Sequence, residues 1–158
     1  MKLFLVDDSI LIQNCLEALV SDFPEIEIVG RAETPLKAIK GIRELKPDAV
    51  ILDIRLKEGS GFDVLLNIKA EDPSPVVIML TNFPYAQYRE KSMELGADFF
   101  FDKSTEFDKI APIFKRMIQN AHRNHPAEKN ADSLWAKSIN SKTSKRGKKQ
   151  YTVPSPEL

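Results

Sequence analysis

Five short apolar runs set the terms on which this chain can fold: residues 2–6 (KLFLV), 26–30 (IEIVG), 49–52 (AVIL), 76–80 (VVIML) and 99–101 (FFF). A strand with one wet face alternates apolar with polar residues. Several of these runs are instead apolar at consecutive positions, which marks strands covered on both faces, as in a parallel sheet. Helical patterns fill the intervals, at residues 11–22, 35–45, 62–70 and 85–95. Thr34 followed by Pro35 reads as a helix start, a capping hydroxyl with a proline ring pre-set for the first helical position. Pro24, Pro47 and Pro75 fall in connections. Pro112 would break a helix interior. The end of the pattern is therefore divided into a single turn over residues 105–110 and a last helix, running to about Ala121, with Pro112 in its first turn.

Strands alternating with helices predict a doubly wound α/β fold, a five-stranded parallel sheet flanked by five helices with right-handed crossovers. The chain has 158 residues and 42% hydrophobic content, enough for one core of ordinary size. No run approaches the roughly 18 to 20 apolar residues of a membrane span, and no signal peptide is apparent, so a cytoplasmic protein is expected. The single cysteine, Cys15, has no partner for a disulfide or a thiolate metal site and is expected to be a small apolar residue on a helix.

Charge is unevenly divided. Residues 1–121 carry a net −5 and residues 122–158 a net +5. The second segment is rich in Lys, Ser, Asn and Pro, the composition of a chain that cannot offset its ordering entropy by burial. The sequence thus divides into a domain over 1–121 and a basic tail over 122–158, expected to be disordered. Its cluster SKRGKKQY, residues 144–151, is a candidate contact for nucleic acid, an anionic membrane surface or the acidic domain, set against the plainer role of a solubilising tail. The segment around Trp135 is a candidate docking helix, and His122 and His125 read as solvated residues.

In an open α/β sheet, ligands bind beyond the carboxyl ends of the strands, where the strand order reverses. One residue past the runs lie Asp7 and Asp8 after the first, Asp53 after the third and Thr81 after the fourth; Lys103 lies two past the fifth. The second run contributes nothing obvious. Two carboxylates about 4 Å apart repel by ~4 kcal/mol at an effective dielectric of 20, so a cation is required among three of them. Oxygen ligands without His or Cys favour a hard ion such as Mg²⁺. Asp53 could then act as a nucleophile toward phosphorus, giving an acyl phosphate, with Lys103 and Thr81 holding the remaining phosphoryl oxygens. Taken singly, each residue has a blander reading as a capping, turn or surface residue. Their joint placement on the strand ends is what points to a site.

The segments LFLVDDS, AVILDIRLKEGSGFDVL, VVIMLTN and GADFFFDKS, in this order and spacing, resemble the flavodoxin-like receiver domain of bacterial two-component response regulators over residues 1 to about 121. The resemblance implies a non-enzymatic phosphorelay module. Asp53 would be the phosphoacceptor for a histidine kinase or phosphotransfer protein. Mg²⁺ would be bound directly by Asp8, Asp53 and the backbone carbonyl of Arg55, with Asp7 acting mainly through water. Lys103 would pair with the phosphoryl group, and Thr81 would swing toward it, drawing the switch aromatic Phe100 inward. With no DNA-binding output segment expected in so short a tail, the signal would pass to a downstream protein.

Several positions depart from the family's pattern. Lys57 stands where proline is common, Asn82 where a small residue is preferred, and Ser104 where many relatives have a cis-proline bond. Arg55 is placed either to reach the phosphoryl group or to point to solvent. Phe100 lacks the hydroxyl of a tyrosine. These changes keep open a receiver-fold scaffold that is not phosphorylated. A small Mg²⁺-dependent phosphohydrolase is disfavoured by DDS, rather than a DxD arrangement, after the first strand, and a dinucleotide enzyme by the lack of GxGxxG there. Tyr85, Tyr88 and Arg89 form a candidate partner face beside Phe100.

Overall fold

The computed structural model describes residues 1–124. In chain order the elements are β1 (Lys2–Val6), α1 (Ile10–Val20), β2 (Glu27–Ala32), α2 (Pro35–Leu45), β3 (Ala49–Leu52), β4 (Arg55–Leu56), β5 (Gly59–Ser60), α3 (Gly61–Lys69), β6 (Val76–Thr81), α4 (Ala86–Glu94), β7 (Phe99–Asp102) and, after a single 3₁₀ turn at Phe107–Lys109, α5 (Ile110–Asn124). Five strands form the main sheet in the order β2-β1-β3-β6-β7, all parallel. The chain moves outward from β1 to β2, then returns past β1 to β3. The order therefore reverses between β1 and β3, and Val6 and Leu52 lie side by side there in register.

The consecutive apolar positions are explained by two cores, one on each face. Phe4, Val6, Val50, Leu52, Val77, Met79 and Phe100 pack with Ala38, Ile42, Val64, Leu65 and Ile68 from α2 and α3. The alternate residues Leu3, Leu5, Ala49, Ile51, Ile78 and Leu80 pack with Leu16, Val20, Ile110 and Phe114 from α1 and α5. The three phenylalanines of β7 split the same way. Phe100 enters the first core, while Phe99 and Phe101 stack at 6.2 Å against the second.

Local signals set the helix ends. Ser9, Thr34 and Ser60 cap α1, α2 and α3 by accepting from Ile12, Lys37 and Phe62 N–H. Pro112 is the third residue of α5, where its missing N–H costs nothing. Three differences from the sequence reading matter. β2 begins and ends later than expected, reaching Ala32. A two-residue antiparallel hairpin, β4 with β5, folds out of what read as a plain loop, turning through Glu58 at φ 61° and Gly59 at φ 156°. Cys15 lies on α1 but is exposed, because the buried stripe runs through Gln13, Leu16 and Val20. His122 is exposed, whereas His125, Trp135 and the basic cluster at 144–151 lie outside the described residues.

Candidate functional site

β1 and β3 end together at the reversal point, and they deliver carboxylates to one another. The Asp53 N–H donates to the Val6 carbonyl at 2.9 Å and the Asp7 N–H to the Ala32 carbonyl at 3.1 Å, which fixes both side chains just past the sheet. Asp7 and Asp53 are both buried. The Ser9 N–H donates to Asp7 Oδ1 at 2.8 Å, and Gln13, buried on α1, donates from Nε2 to the Asp7 carbonyl at 2.7 Å. The Ile54 N–H donates to Asp53 Oδ1 at 2.7 Å.

Lys103, brought in by the end of β7, is the buried counter-charge. Its Nζ lies 2.8 Å from Asp53 Oδ2 and 2.6 Å from Asp7 Oδ2. Burial alone disfavours the ammonium, but hydrogen bonds to Asp53 and Asp7 outweigh it and hold the Lys103 pKa above its usual 10.5. Burial likewise raises Asp7 above 3.8, against the lowering effects of Lys103 and the Ser9 N–H. Asp8 is exposed at the mouth, and one carboxylate oxygen from each of Asp7, Asp8 and Asp53 lies within 4.8 Å of the others. Three carboxylates face one ammonium, leaving net negative charge on an all-oxygen donor set. That chemistry fits a hard divalent cation such as Mg²⁺, and the triad is positioned to coordinate one.

Thr81 ends β6, fully buried, and its Oγ1 accepts from the Phe83 N–H at 3.2 Å. Phe100 is buried at 4% exposure. Arg55 is exposed, as one of the two alternatives expected, and its guanidinium carbon also sits 3.9 Å over the Phe83 ring centroid, bridging the loops after β3 and β6. Asn82 points to solvent. The turn at Ser104 is held by hydrogen bonds: Asp102 Oδ1 accepts from the Ser104 N–H at 2.9 Å and Oδ2 from the Thr105 hydroxyl at 2.9 Å.

The second strand, expected to contribute nothing, supplies Glu33. Lys57 donates from Nζ to Glu33 Oε2 at 2.6 Å and from its backbone N–H to the Glu33 carbonyl at 3.0 Å. The lysine at the proline position thus ties the hairpin to the loop after β2. Glu33 is one residue past the true end of β2, so the strand-end rule marks it only once that boundary is known. The roles of Gln13 and Phe83 left no such mark. A separate cavity of about 390 Å³, lined by Arg43, Asp48, Glu71 and Pro75 among others, lies on loops at the amino-terminal ends of β3 and β6, away from the carboxylates.

A parallel five-stranded sheet with buried carboxylates and a lysine at its reversal point defines an α/β receiver with a divalent-cation site. The response regulator receiver domain family model matches residues 3–115, and the chain belongs to that family. It is 34% identical over 116 residues to the chemotaxis protein CheY of Listeria monocytogenes, covering 73% of this chain and 97% of that protein. It is also 34% identical over 124 residues to a protein-glutamate methylesterase/protein-glutamine glutaminase of Methanospirillum hungatei, but spans only 36% of that protein's length. Among solved structures, the response regulator domain of Thermotoga maritima CheB matches with a TM-score of 0.66 at 27% identity, covering 80% of this chain and 98% of that one. The response regulatory domain of mrkE from Klebsiella pneumoniae shares the fold, with a TM-score of 0.70 at 24% identity over 78% of this chain and all of that one. No helix among the described residues is long and apolar enough to cross a membrane.

The raised Asp7 pKa has a testable sign. Between 3.8 and the higher native value the folded chain binds more protons than the unfolded chain, so this group makes stability fall as pH rises through that window. In chelator, urea midpoints of Asp7→Asn are expected to shift in the variant's favour, relative to wild type, as pH rises across it. A difference that moves the other way would contradict the assignment.

Proposed function

We propose that this chain receives a phosphoryl group on Asp53 from the histidine of a kinase or phosphotransfer protein and passes the change to a downstream protein partner. One observation carries this reading: Asp53, buried at the reversal point, has one oxygen held by the Ile54 N–H and the other by Lys103. A carboxylate so held has a fixed attack direction and a neighbouring cation for incoming charge.

An Asp53 oxygen attacks phosphorus as the phosphorus–nitrogen bond to the donor imidazole breaks. The electron pair leaves with the imidazole nitrogen, and an acyl phosphate remains. Asp8, Asp53 and the Arg55 carbonyl would hold Mg²⁺, with Asp7 acting through water, and the ion would supply charge neutralisation for the phosphoryl oxygens. Lys103, released from Asp53, pairs with one phosphoryl oxygen. The Thr81 hydroxyl takes another, leaving the Phe83 N–H it now accepts from, and Phe100 stays packed inward. Switching results because the phosphorylated state gains contacts that the other state lacks. The cytoplasm is the compartment that holds such donors, and a relative matched over 97% of its own length is named a chemotaxis protein, which supports a signalling role.

Phosphoramidate, a small donor with the same phosphorus–nitrogen bond, tests the chemistry. The protein is expected to acquire a label that requires Mg²⁺ and is removed by hydroxylamine, as an acyl phosphate is. A label stable to hydroxylamine would count against a carboxylate acceptor.

A further inference from the structure

Arg89 projects from α4 onto β7 and touches one residue there twice. Its guanidinium carbon lies 4.6 Å over the Phe100 ring centroid, and its Nη1 donates to the Phe100 carbonyl at 3.0 Å. The other nitrogen, Nη2, lies 3.5 Å from Glu106 Oε2. Glu106 is itself fixed. Its Oε2 accepts from the Asp102 N–H at 3.0 Å, and its Oε1 accepts from Lys109 Nζ at 2.6 Å. The Lys109 hydrogen bond, then the Asp102 N–H, hold the Glu106 pKa below the usual 4.5, so the carboxylate is charged at neutral pH.

The register places this arrangement beside the acidic site. Met79 aligns with Phe100 and Thr81 with Asp102. Val77 and Met79 face the first core, and strand residues two apart share a face, so the Thr81 side chain and the Phe100 ring lie on the same side of the sheet. The ring is buried beneath a guanidinium that is itself half-exposed. Outward rotation of Phe100 requires that guanidinium to leave the ring. A planar fork pinned at one end by a carbonyl and at the other by a carboxylate resists this more than a single ammonium would.

We propose that Arg89, anchored by Glu106, is a positioning residue for phosphoryl binding: it holds Phe100 inward and so sets the fraction of molecules in which the Thr81 side of the pocket is ready for the phosphoryl oxygens. The inference rests on the phosphoacceptor reading above and adds to it a residue outside the pocket. A ligand that needs the inward state binds with its intrinsic affinity reduced by the fraction of molecules in that state. If the clamp keeps that fraction near one, and its loss lowers it to about a tenth, apparent affinity falls about tenfold, or ~1.4 kcal/mol.

The test uses the full chain and beryllofluoride, a phosphoryl mimic, in saturating Mg²⁺, with calorimetry for affinity and aromatic NMR for the Phe100 ring. Arg89→Gln is expected to weaken beryllofluoride binding about tenfold, Glu106→Gln to weaken it less, and Arg89→Lys to restore part of the loss. Affinity for Mg²⁺ alone should be unchanged, and the Phe100 resonances should move toward solvent-exposed values. Unchanged beryllofluoride affinity in Arg89→Gln, or an equal loss of Mg²⁺ affinity, would overturn the proposal. If wild type binds no beryllofluoride, the phosphoacceptor reading fails instead. The ring then decides the clamp: outward movement in Arg89→Gln supports it, and an unmoved ring refutes it.

Discussion

Lys103→Met is expected to lower the stability of the metal-free protein by about 3 to 5 kcal/mol, the usual consequence of leaving buried charge without its partner. The geometry makes the case acute, because one ammonium serves two carboxylates, at 2.6 Å to Asp7 and 2.8 Å to Asp53. Removing it leaves two buried acids facing each other at the reversal point. Asp7→Asn in the same background should recover part of the loss, and Mg²⁺ should recover part of it too. Urea unfolding of the single and double variants, in chelator and in Mg²⁺, measures each contribution. A Lys103→Met protein as stable as wild type in chelator would show that the acids are solvated rather than buried.

Gly61→Ala should be nearly as damaging for a different reason. A methyl group at Gly61 would lie 1.9 Å from the Asp53 carbonyl oxygen and 2.9 Å from its carbon. Both are backbone atoms, which have no rotamer in which to move aside. The Gly61 N–H meanwhile donates to the Ile54 carbonyl at 2.7 Å, which holds the start of α3 against the segment after β3. Either that hydrogen bond or the placement of Asp53 must give way, at ~3 kcal/mol, the upper end of what overpacking of a well-filled interior costs. Chemical denaturation gives the stability change, and the rate of labelling by phosphoramidate gives the displacement of Asp53. A Gly61→Ala variant with wild-type stability and rate would mean that the loop after β3 adapts at no cost.

Much of this site is legible in the sequence, because strands buried on both faces end abruptly and the residues just beyond their ends lie on the rim of the sheet where such folds bind ligands. That rule alone singles out Asp7, Asp8, Asp53, Thr81 and Lys103, and of these the structure gathers the three acids and bonds Lys103 to Asp7 and Asp53. Glu33 escapes the rule because the apolar run stops at Gly30, whereas β2 runs on past the exposed Arg31 to the buried Ala32, one residue before Glu33. The β4–β5 hairpin escapes because two-residue strands carry no periodicity, and its positive φ falls on Glu58 as well as on a glycine. Arg55 on Phe83 and Arg89 on Phe100 are contacts between loops or elements far apart in sequence, and no local spacing encodes them.

The central claim is that Asp53 is the residue that forms a covalent bond to phosphorus. Intact-mass measurement after incubation with acetyl phosphate and Mg²⁺ tests it most directly, with wild type and Asp53→Asn side by side. Wild type should gain the mass of one phosphoryl group, localised to the peptide that contains Asp53, and Asp53→Asn should gain none. An adduct that persists in Asp53→Asn, or that forms on wild type at another residue, would contradict the account.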